Sequence, residues 1–168
     1  MSSPTPALLS PALRNTSLTL LAAGAAVSLS ACGLVTSLLG AGNVMELGVG
    51  DCFNEQDVFG GFTAQDEEVS DVPLVDCAEP HDSEIFYSEE LPDGDFPGDA
   101  ALEKSLDDIC TGSAFEKFVG IDYMDSELYV GAFQPTAETW DLLDDRETLC
   151  YVVTGGETVT GSLEGSKR

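Results

Sequence analysis

The chain has 168 residues and a net charge of −25, from 31 acidic and 6 basic residues. Nucleic acids and anionic lipid headgroups repel such a protein, which excludes functions that depend on binding either of them. The acids are scattered along the sequence rather than gathered in one block. This distribution is typical of a solvated acidic surface, and the alternative is a surface that captures cations or a basic partner.

The N-terminal part of the chain has the pattern of an export signal. Residues 18–29 form an apolar run that is shorter than the roughly 20 residues of a membrane-spanning helix. Its length is typical of the apolar core of a signal peptide. The run ends in Leu29-Ser30-Ala31-Cys32, which resembles the bacterial lipobox. The sequence therefore predicts a lipoprotein signal peptide over residues 1–31 and a lipid on Cys32, with a buried cysteine in a membrane anchor as the alternative.

Five cysteines support the same interpretation, because an odd number in an exported chain needs an explanation. Lipidation of Cys32 leaves four, which favours two disulfides in an oxidising compartment. We expect Cys52–Cys77, since both residues end candidate neighbouring strands, and Cys110–Cys150, since Cys110 lies on the apolar stripe of a helix. The alternative pairs Cys52 with Cys110 and Cys77 with Cys150. With one histidine and no C-x-x-C pair, a zinc site is not expected.

Behind the signal we expect a lipidated tether over residues 32–47, one domain over residues 48–154 and a disordered tail over residues 155–168. Residues 54–70 look like a loop, and residues 140–146 like a connection. In the third of the predicted strands, alternation places Ile85 and Tyr87 on one face and Phe86 on the other. The five predicted strands cover residues 49–53, 72–77, 83–89, 128–133 and 148–153.

Two helices are predicted between the third and fourth strands. Asp99 is a candidate cap for the first helix, whose apolar stripe contains Leu102, Leu106, Ile109 and Cys110. Ser113 and Glu116 have capping-box spacing for a second, short helix that ends at Gly120. Strands, then helices, then strands indicate an α+β domain: a small mixed or antiparallel sheet of about five strands, with one or two helices packed on it and two disulfides.

The single histidine, His81, lies close to Asp82 and Glu84. A metal site could use these three side chains, but ligands so close in sequence rarely converge without a sharp backbone turn. The sequence also lacks the G-x-S-x-G elbow of many serine hydrolases. We therefore expect a structural His81 that is hydrogen-bonded to a neighbouring oxygen, no metal site, no cofactor and no enzyme activity.

Two groups of acids offer the oxygen ligands that calcium binds. Asp93 and Asp95 form one group, and Asp122, Asp125 and Glu127 form the other. Neither has the spacing of an EF-hand loop, and chance clusters are common in so acidic a chain. They do not predict a calcium site.

Trp140 and Arg146 form a second candidate cluster, four residues before Cys150. A guanidinium fork suits two carboxylates, of which this chain has many. The favoured interpretation is a structural corner, with Trp140 packed on a disulfide and Arg146 holding the turn. The alternative is a binding surface with an aromatic platform.

Three segments of the chain resemble the septum-formation domain family of actinobacterial lipoproteins and membrane-anchored proteins. They are Gly50-Asp51-Cys52, the stretch of residues 75–84 that contains Cys77, His81 and Glu84, and Trp140 with Asp144-Asp145-Arg146 and Cys150. The family has Gly-Asp-Arg after the tryptophan, and here Asp144 stands at the glycine. Asp tolerates left-handed backbone better than most residues, so the turn is expected to survive.

This resemblance implies an extracytoplasmic domain linked to septum formation in cell division, and it implies no catalytic residue. The expected function is a non-catalytic binding or interaction domain, anchored by its lipid on the outer face of the cell membrane. Its expected partner is an envelope protein or the cell wall, and not nucleic acid. A lipoprotein that binds a small ligand or a cation is the alternative.

Overall fold

The computed structural model describes residues 41–60 and 69–168. The predicted signal peptide, Cys32 and the first part of the predicted tether lie outside the described residues. Within the described ranges, no helix is both long enough and apolar enough to cross a membrane.

The domain is an antiparallel sheet of six strands in the order β1-β3-β2-β4-β6-β5, with four helices. The α+β prediction is confirmed, with one strand more than the expected five or so, and with four helices instead of one or two. The strands are β1 Ala41–Asn43, β2 Cys52–Phe53, β3 Asp71–Val75, β4 Ser83–Glu90, β5 Tyr129–Phe133 and β6 Glu147–Val153. The helices are α1 Glu55–Phe59, α2 Asp99–Cys110, α3 Ser113–Val119 and α4 Ala137–Leu142.

The two longest strands, β4 and β6, pair with each other, and β6 is buried on both faces. In β6, Leu149, Tyr151 and Val153 point to one face, and Cys150 and Val152 point to the other. Because both faces are covered, this strand has a continuous apolar run instead of an alternating one.

The sheet is curled, so its concave face forms a core of its own. The ring centroids of Phe53 in β2 and Phe133 in β5 are 5.9 Å apart. In a flat sheet these strands, separated by β4 and β6, would lie about 14 Å apart. We call the apolar residues on this face the concave cluster: Leu47, Phe53, Val58, Val72, Ile85, Phe133, Leu149, Tyr151 and Val153.

The other face packs on α2 and α3. We call its apolar residues the helix-side cluster: Phe86, Leu106, Cys110, Phe115, Val119, Leu128, Cys150, Val152 and Leu163. The predicted stripe of α2 therefore faces the sheet through Leu106 and Cys110. Gly120 ends α3 in the left-handed conformation, with φ of 91°.

Both disulfides have the favoured pairing. Cys52–Cys77 joins the start of β2 to the turn after β3, and Cys110–Cys150 joins the end of α2 to β6. The Cα atoms are 5.3 Å and 5.5 Å apart, within the range that a disulfide requires. The first bridge holds an edge of the sheet, and the second ties the helical layer to its centre.

A β-bulge in β4 changes the face to which Tyr87 belongs. Ile85 pairs with Tyr151 and Tyr87 pairs with Cys150, so Phe86 is the extra residue. After a bulge the alternation restarts, and consecutive residues can reach one face. Phe86 and Tyr87 both pack with the helix-side cluster, and the expectation that Tyr87 shares the face of Ile85 was wrong.

Three elements lie where the sequence predicts a tether, a loop and a connection. These are β1, α1 and α4. Each is six residues long or shorter, too short for a helical or strand period to stand out. The predicted caps also differ: Gly98 and Gly112 occupy the N-cap positions of α2 and α3, and the capping box belongs to α4, between Thr136 and Thr139.

The C-terminal segment 155–168, expected to be disordered, contacts the domain at several positions. The backbone of Val159 exchanges two hydrogen bonds with His81, and Leu163 is buried in the helix-side cluster. The backbone N–H of Lys167 donates to the carbonyl of Val119, and Arg168 pairs with Glu127. Composition predicts disorder here because few residues are apolar, but Val159 and Leu163 meet a sheet and helices that leave room for them.

Candidate functional site

A cleft of about 780 Å³ lies on the helix side of β4. Its walls come from β4, from α2 and α3, and from the loop before β2. The lining residues are Val49, Gly50, Glu84, Phe86, Tyr87, Asp108, Ile109, Ser113, Ala114, Lys117, Phe118 and Glu164. The volume lies in the range of small-ligand pockets.

The apolar floor of the cleft depends on the bulge in β4. The bulge turns both Phe86 and Tyr87 toward the helices. Phe118 of α3 packs on Phe86, with ring centroids 5.5 Å apart and ring planes 30° apart. Two aromatic rings from different elements thus form one wall.

Tyr87 joins this floor to the next residues of β4. Its hydroxyl donates a hydrogen bond of 3.3 Å to the carboxylate of Glu89. Partial burial raises the pKa of Tyr87, and the charge and hydrogen bond of Glu89 raise it further. Tyr87 is therefore neutral at physiological pH and contributes an apolar ring with a polar tip.

Glu84 is the one cleft residue that is both acidic and buried, with 2% of its surface exposed. Its Oε1 accepts a hydrogen bond of 2.7 Å from Ser162 Oγ, and its Oε2 accepts one of 2.6 Å from the backbone N–H of Leu163. Both donors belong to the C-terminal segment. Glu84 therefore anchors this segment, and it is also one of the residues that line the cleft.

The rim of the cleft is charged and exposed. Asp108 is held by Lys104, one helical turn earlier, at 2.9 Å. Lys117 is the single base among the lining residues, and Glu164 is a further acid. Val49, 58% exposed, adds an apolar edge. The cleft thus has an apolar floor and a mostly acidic border.

His81 lies apart from the residues that line the cleft. It is fully buried, and its Nδ1 lies 2.9 Å from the carbonyl oxygen of Glu79. Its Nε2 is buried without a hydrogen-bond partner among the described residues. Asp82, the neighbour considered as a metal ligand, accepts hydrogen bonds from the backbone of Glu55 and from Ser83 Oγ. The side chains of His81 and Asp82 therefore serve separate structural contacts.

One group of potential metal ligands comes together at Glu84. A carboxylate oxygen of Glu84 and the sulfurs of Cys52 and Cys77 lie within 4.8 Å of one another. These sulfurs are joined in a disulfide, which lacks the thiolates that bind metal. In this oxidised form the group does not make a metal site.

Trp140 and Arg146 form a compact corner at the other end of β4. The guanidinium of Arg146 lies over the Trp140 ring, at 3.8 Å from its centroid, and donates to the backbone carbonyls of Trp140 and Asp145 at 2.9 Å. Its second nitrogen pairs with Asp144 at 3.0 Å, and Asp93 lies 3.9 Å from Nε. The guanidinium of Arg146 thus lies next to two carboxylates, as the sequence predicts for an arginine in so acidic a chain.

Trp140 packs on Phe96 in addition to Arg146. Its ring is 5.7 Å from that of Phe96, and its Nε1 donates to the carbonyl of Gly94 at 2.9 Å. It is not part of the helix-side cluster, which contains the Cys110–Cys150 disulfide. Trp140 therefore packs the turn of residues 93–96 against α4.

The structure does not bring the two candidate clusters together. Glu84 lies near the start of β4, while Arg146 binds the residue that follows its end, through a hydrogen bond from the backbone N–H of Leu91. The six residue steps from Glu84 to Glu90 span about 20 Å of strand. The cleft and the Trp140–Arg146 corner are separate features of the domain.

Three of the five acids in the two candidate calcium groups have structural contacts. Asp122 caps a short turn by accepting from the backbone N–H of Met124, and Glu127 pairs with Arg168. Asp93 faces Arg146. These contacts give the carboxylates a role without a bound ion.

The sequence indicates Glu84 as a candidate site residue, but it does not indicate the cleft beside this residue. The sequence predicts Ile109 on the apolar stripe of α2, so one wall of the cleft was visible in the helical periodicity. Neither the bulge at Phe86 nor the position of the C-terminal segment can be predicted from the local sequence. No family model matches this chain, and searches of curated proteins and of solved structures found no match either.

Proposed function

We propose that this protein is a non-catalytic envelope lipoprotein, anchored through Cys32 on the outer face of the cell membrane, whose domain binds an envelope partner. The observation that carries the proposal is the pairing of four cysteines. Cys52, Cys77, Cys110 and Cys150 are consumed in two disulfides, which are typical of exported proteins. Of the five cysteines in the sequence, Cys32 alone is left for the lipid.

The cleft beside Glu84 supports a binding role for the domain. An apolar floor with few polar groups is the usual composition of a binding pocket. A hydrolase would be expected to gather His81 and two carboxylates in one cleft. Glu84, Asp108 and Glu164 line this cleft, while His81 does not. The arrangement therefore favours recognition over acid–base chemistry.

The link to septum formation rests on the resemblance of three sequence segments to that domain family. The left-handed backbone of Asp144, with φ of 57°, supports the correspondence, because the family has glycine at this position. We therefore propose septation as the cellular process in which the protein takes part. The alternative, a lipoprotein that binds a small ligand or a cation, is supported by the volume of the cleft.

The anchor is tested by metabolic labelling with an alkyne fatty acid in cells that make the wild-type protein or Cys32→Ser. We expect label on the wild type and none on the variant, because a hydroxyl does not replace the thiol as lipid acceptor. The variant should also keep its signal segment, which mass measurement of the purified chain detects. Equal label on both proteins would contradict the anchor.

The partner is tested by photo-crosslinking in intact cells, with the crosslinker in place of Lys117 at the cleft or of Glu138 on α4. Both positions are exposed, so the second is a matched control. A protein or wall fragment captured at Lys117 and not at Glu138 supports the binding role. Capture at neither position, with the protein correctly anchored, counts against a partner at this cleft.

A further inference from the structure

The cleft contains a buried carboxyl group without a basic partner. Glu84 is 2% exposed, and its two hydrogen-bond donors, Ser162 and Leu163, are both neutral. Among the described residues, no lysine or arginine lies within 4.0 Å of its carboxylate. A buried charge of this kind is costly unless a cation approaches it.

The carboxylate also has unused capacity to accept hydrogen bonds. An ionised carboxylate offers about four lone-pair sites, and Ser162 and Leu163 occupy two of them. Glu84 is one of the residues that line the cleft, so a donor bound in the cleft would lie beside this side chain. An ammonium or guanidinium group supplies several donors together with the missing positive charge.

The walls of the cleft suit the stem and the head of such a group. Phe86 and Phe118 present aromatic rings, whose faces attract cations. Ile109 and Ala114 offer apolar surface to a methylene chain. A lysine or arginine side chain combines an apolar stem with a charged head.

The charge of the whole domain favours the same occupant. The chain has 31 acids against 6 bases, and the rim acids Asp108 and Glu164 add to this field at the cleft. Cationic ligands are drawn to such a surface, and anionic ones are repelled. Lys117 opposes this preference locally, because it is the one base of the rim.

From these observations we propose that the cleft binds a lysine or arginine side chain of a partner polypeptide, with the charged head at Glu84 and the stem along the apolar wall that Phe86 and Phe118 form together. This inference rests on the proposed binding function and names the chemistry that the domain recognises. Glu84 then has two roles: it holds the C-terminal segment and it receives the basic side chain.

The test compares three capped peptides that differ in their central residue: acetyl-Leu-Lys-Leu-amide, its norleucine analogue and its glutamate analogue. Binding to the full-length protein is measured by calorimetry and by NMR shifts of the amides that line the cleft. We expect the lysine peptide to bind about tenfold more tightly than the norleucine peptide, and the glutamate peptide to bind least. Equal affinities for lysine and norleucine would overturn the proposal.

Two charge variants separate the cleft from the general acidic field. Glu84→Gln should reduce the preference for lysine over norleucine to about twofold or less while norleucine binding persists, which shows that the cleft is intact. Glu138→Gln makes the same change in net charge on exposed α4 and should leave the preference unchanged. An equal loss in both variants would show attraction by bulk charge only.

Lys117→Gln gives a test with a predicted sign. Removal of this base should strengthen binding of the lysine peptide about twofold to fivefold, because a like charge at the rim is lost. Weaker binding of the lysine peptide would contradict the proposal. If Glu84→Gln does not fold, this variant and the three peptides on the wild type still decide the outcome.

Two further measurements distinguish a basic side chain of a polypeptide from a small amine as the bound cation. Butylammonium alone should bind at least about tenfold more weakly than the lysine peptide, and equal binding would point to a small amine and refute a polypeptide partner. Ala114→Trp should fill the cleft and abolish binding of every peptide. If the crosslinker at Lys117 captures a partner while the peptides fail, the binding role stands and the basic side chain is refuted.

Discussion

The guanidinium carbon of Arg146 lies 3.8 Å from the centroid of the Trp140 ring, which comes six residues earlier in the chain. The same guanidinium donates to the backbone carbonyl of Trp140, so it binds this residue through both its ring and its main chain. The side chain of Arg146 is 11% exposed. It therefore acts as the interior support of the turn between α4 and β6.

Arg146→Lys should destabilise the domain by about 1–3 kcal/mol, because an ammonium cannot reproduce the planar stacking and the forked hydrogen bonds. Urea unfolding followed by tryptophan fluorescence measures the change. Arg168→Lys is the control, since Arg168 pairs with the exposed carboxylates of Glu127 and Glu157. That variant should lose no more than about 1 kcal/mol. Equal losses of stability in the two variants would show that the stacking of Arg146 on Trp140 contributes no more than an exposed ion pair does.

Asp144 combines a left-handed backbone, with φ of 57°, and an ion pair of 3.0 Å to Arg146. Asp144→Gly and Asp144→Ala both lose the ion pair, but only alanine keeps a Cβ in this strained conformation. The glycine variant should therefore be more stable than the alanine variant by about 1 kcal/mol.

The same two substitutions at Asp145 provide the matched control for the backbone argument. Asp145 does not have a positive φ, and its carboxylate accepts from the backbone N–H of Glu147. Here alanine should equal or exceed glycine in stability, since glycine gives the unfolded chain more freedom. Thermal unfolding of the four variants decides the comparison, and the same order at both positions would contradict it.

Gly131 faces Tyr151 across the β5–β6 pair so closely that a side chain would not fit. A Cβ at Gly131 would lie 2.2 Å from the ring carbon Cζ of Tyr151. Gly131→Ala should destabilise the domain by about 1–3 kcal/mol through overpacking. Gly48→Ala, where nothing lies within 4 Å of the new atom, should be nearly neutral.

A double-mutant cycle shows whether the ring is the cause of this effect. In a Tyr151→Val background, Gly131→Ala should cost less than in the wild type, by about 1 kcal/mol or more. Chemical denaturation of the four proteins provides the cycle. Additive effects would mean that the strain at Gly131 comes from another neighbour.

Burial raises the pKa of Tyr151 above its ordinary value near 10, and the charge of Glu55 raises it further. The folded protein therefore keeps the phenol protonated at pH values where the unfolded chain has lost the proton. The stabilising contribution is present below pH 10 and is lost as the pH rises above 10, by about 1.4 kcal/mol per pH unit.

This dependence is measured as the difference in unfolding free energy between the wild type and Tyr151→Phe from pH 9 to about pH 11.5. Tyr151→Phe should lack the additional loss of stability that the wild type shows above pH 10. Tyr129→Phe, at a residue 61% exposed, should follow the wild type. Parallel curves for the wild type and Tyr151→Phe would contradict the effect of burial.

The two disulfides should protect different parts of the domain from hydrogen exchange. Strand β2 has two residues and pairs with β3 at two positions, so Cys52–Cys77 is a main tie between the β1–β3 edge and the rest of the sheet. The double variant Cys52→Ala/Cys77→Ala should exchange faster at β1 and β3, by about tenfold or more, while β4 and β6 stay protected.

The second bridge is the control for the first. Cys110→Ala/Cys150→Ala should instead increase exchange in α2 and α3, because that bridge ties the helical layer to β6. Mass spectrometry of peptic fragments gives the pattern. Uniform acceleration in both variants would show that each bridge acts only through global stability.

Local sequence patterns predicted much of the fold. The apolar stripe of α2, the left-handed end of α3 at Gly120 and the buried run of β6 depend on residues close in sequence, and each appears as expected. The favoured cysteine pairing followed from the same elements, although the sequence alone left another pairing open.

The candidate site was predicted only in part, because its geometry depends on contacts between distant residues. The hydrogen bond from Leu163 to Glu84 joins residues 79 positions apart, and composition gave no sign of it. The bulge that turns Phe86 and Tyr87 to one face arises from the register between β4 and β6, and not from the alternation within β4.

The sequence by itself determined the export pattern, the cysteine count, the acidic charge and the class of the fold, since these depend on composition and on short periodicities. The tertiary structure decided where the cleft lies, which face Tyr87 occupies and how the C-terminal segment packs. A strand shows its period in a few residues, whereas a pocket forms only when segments far apart in the chain close around the same volume.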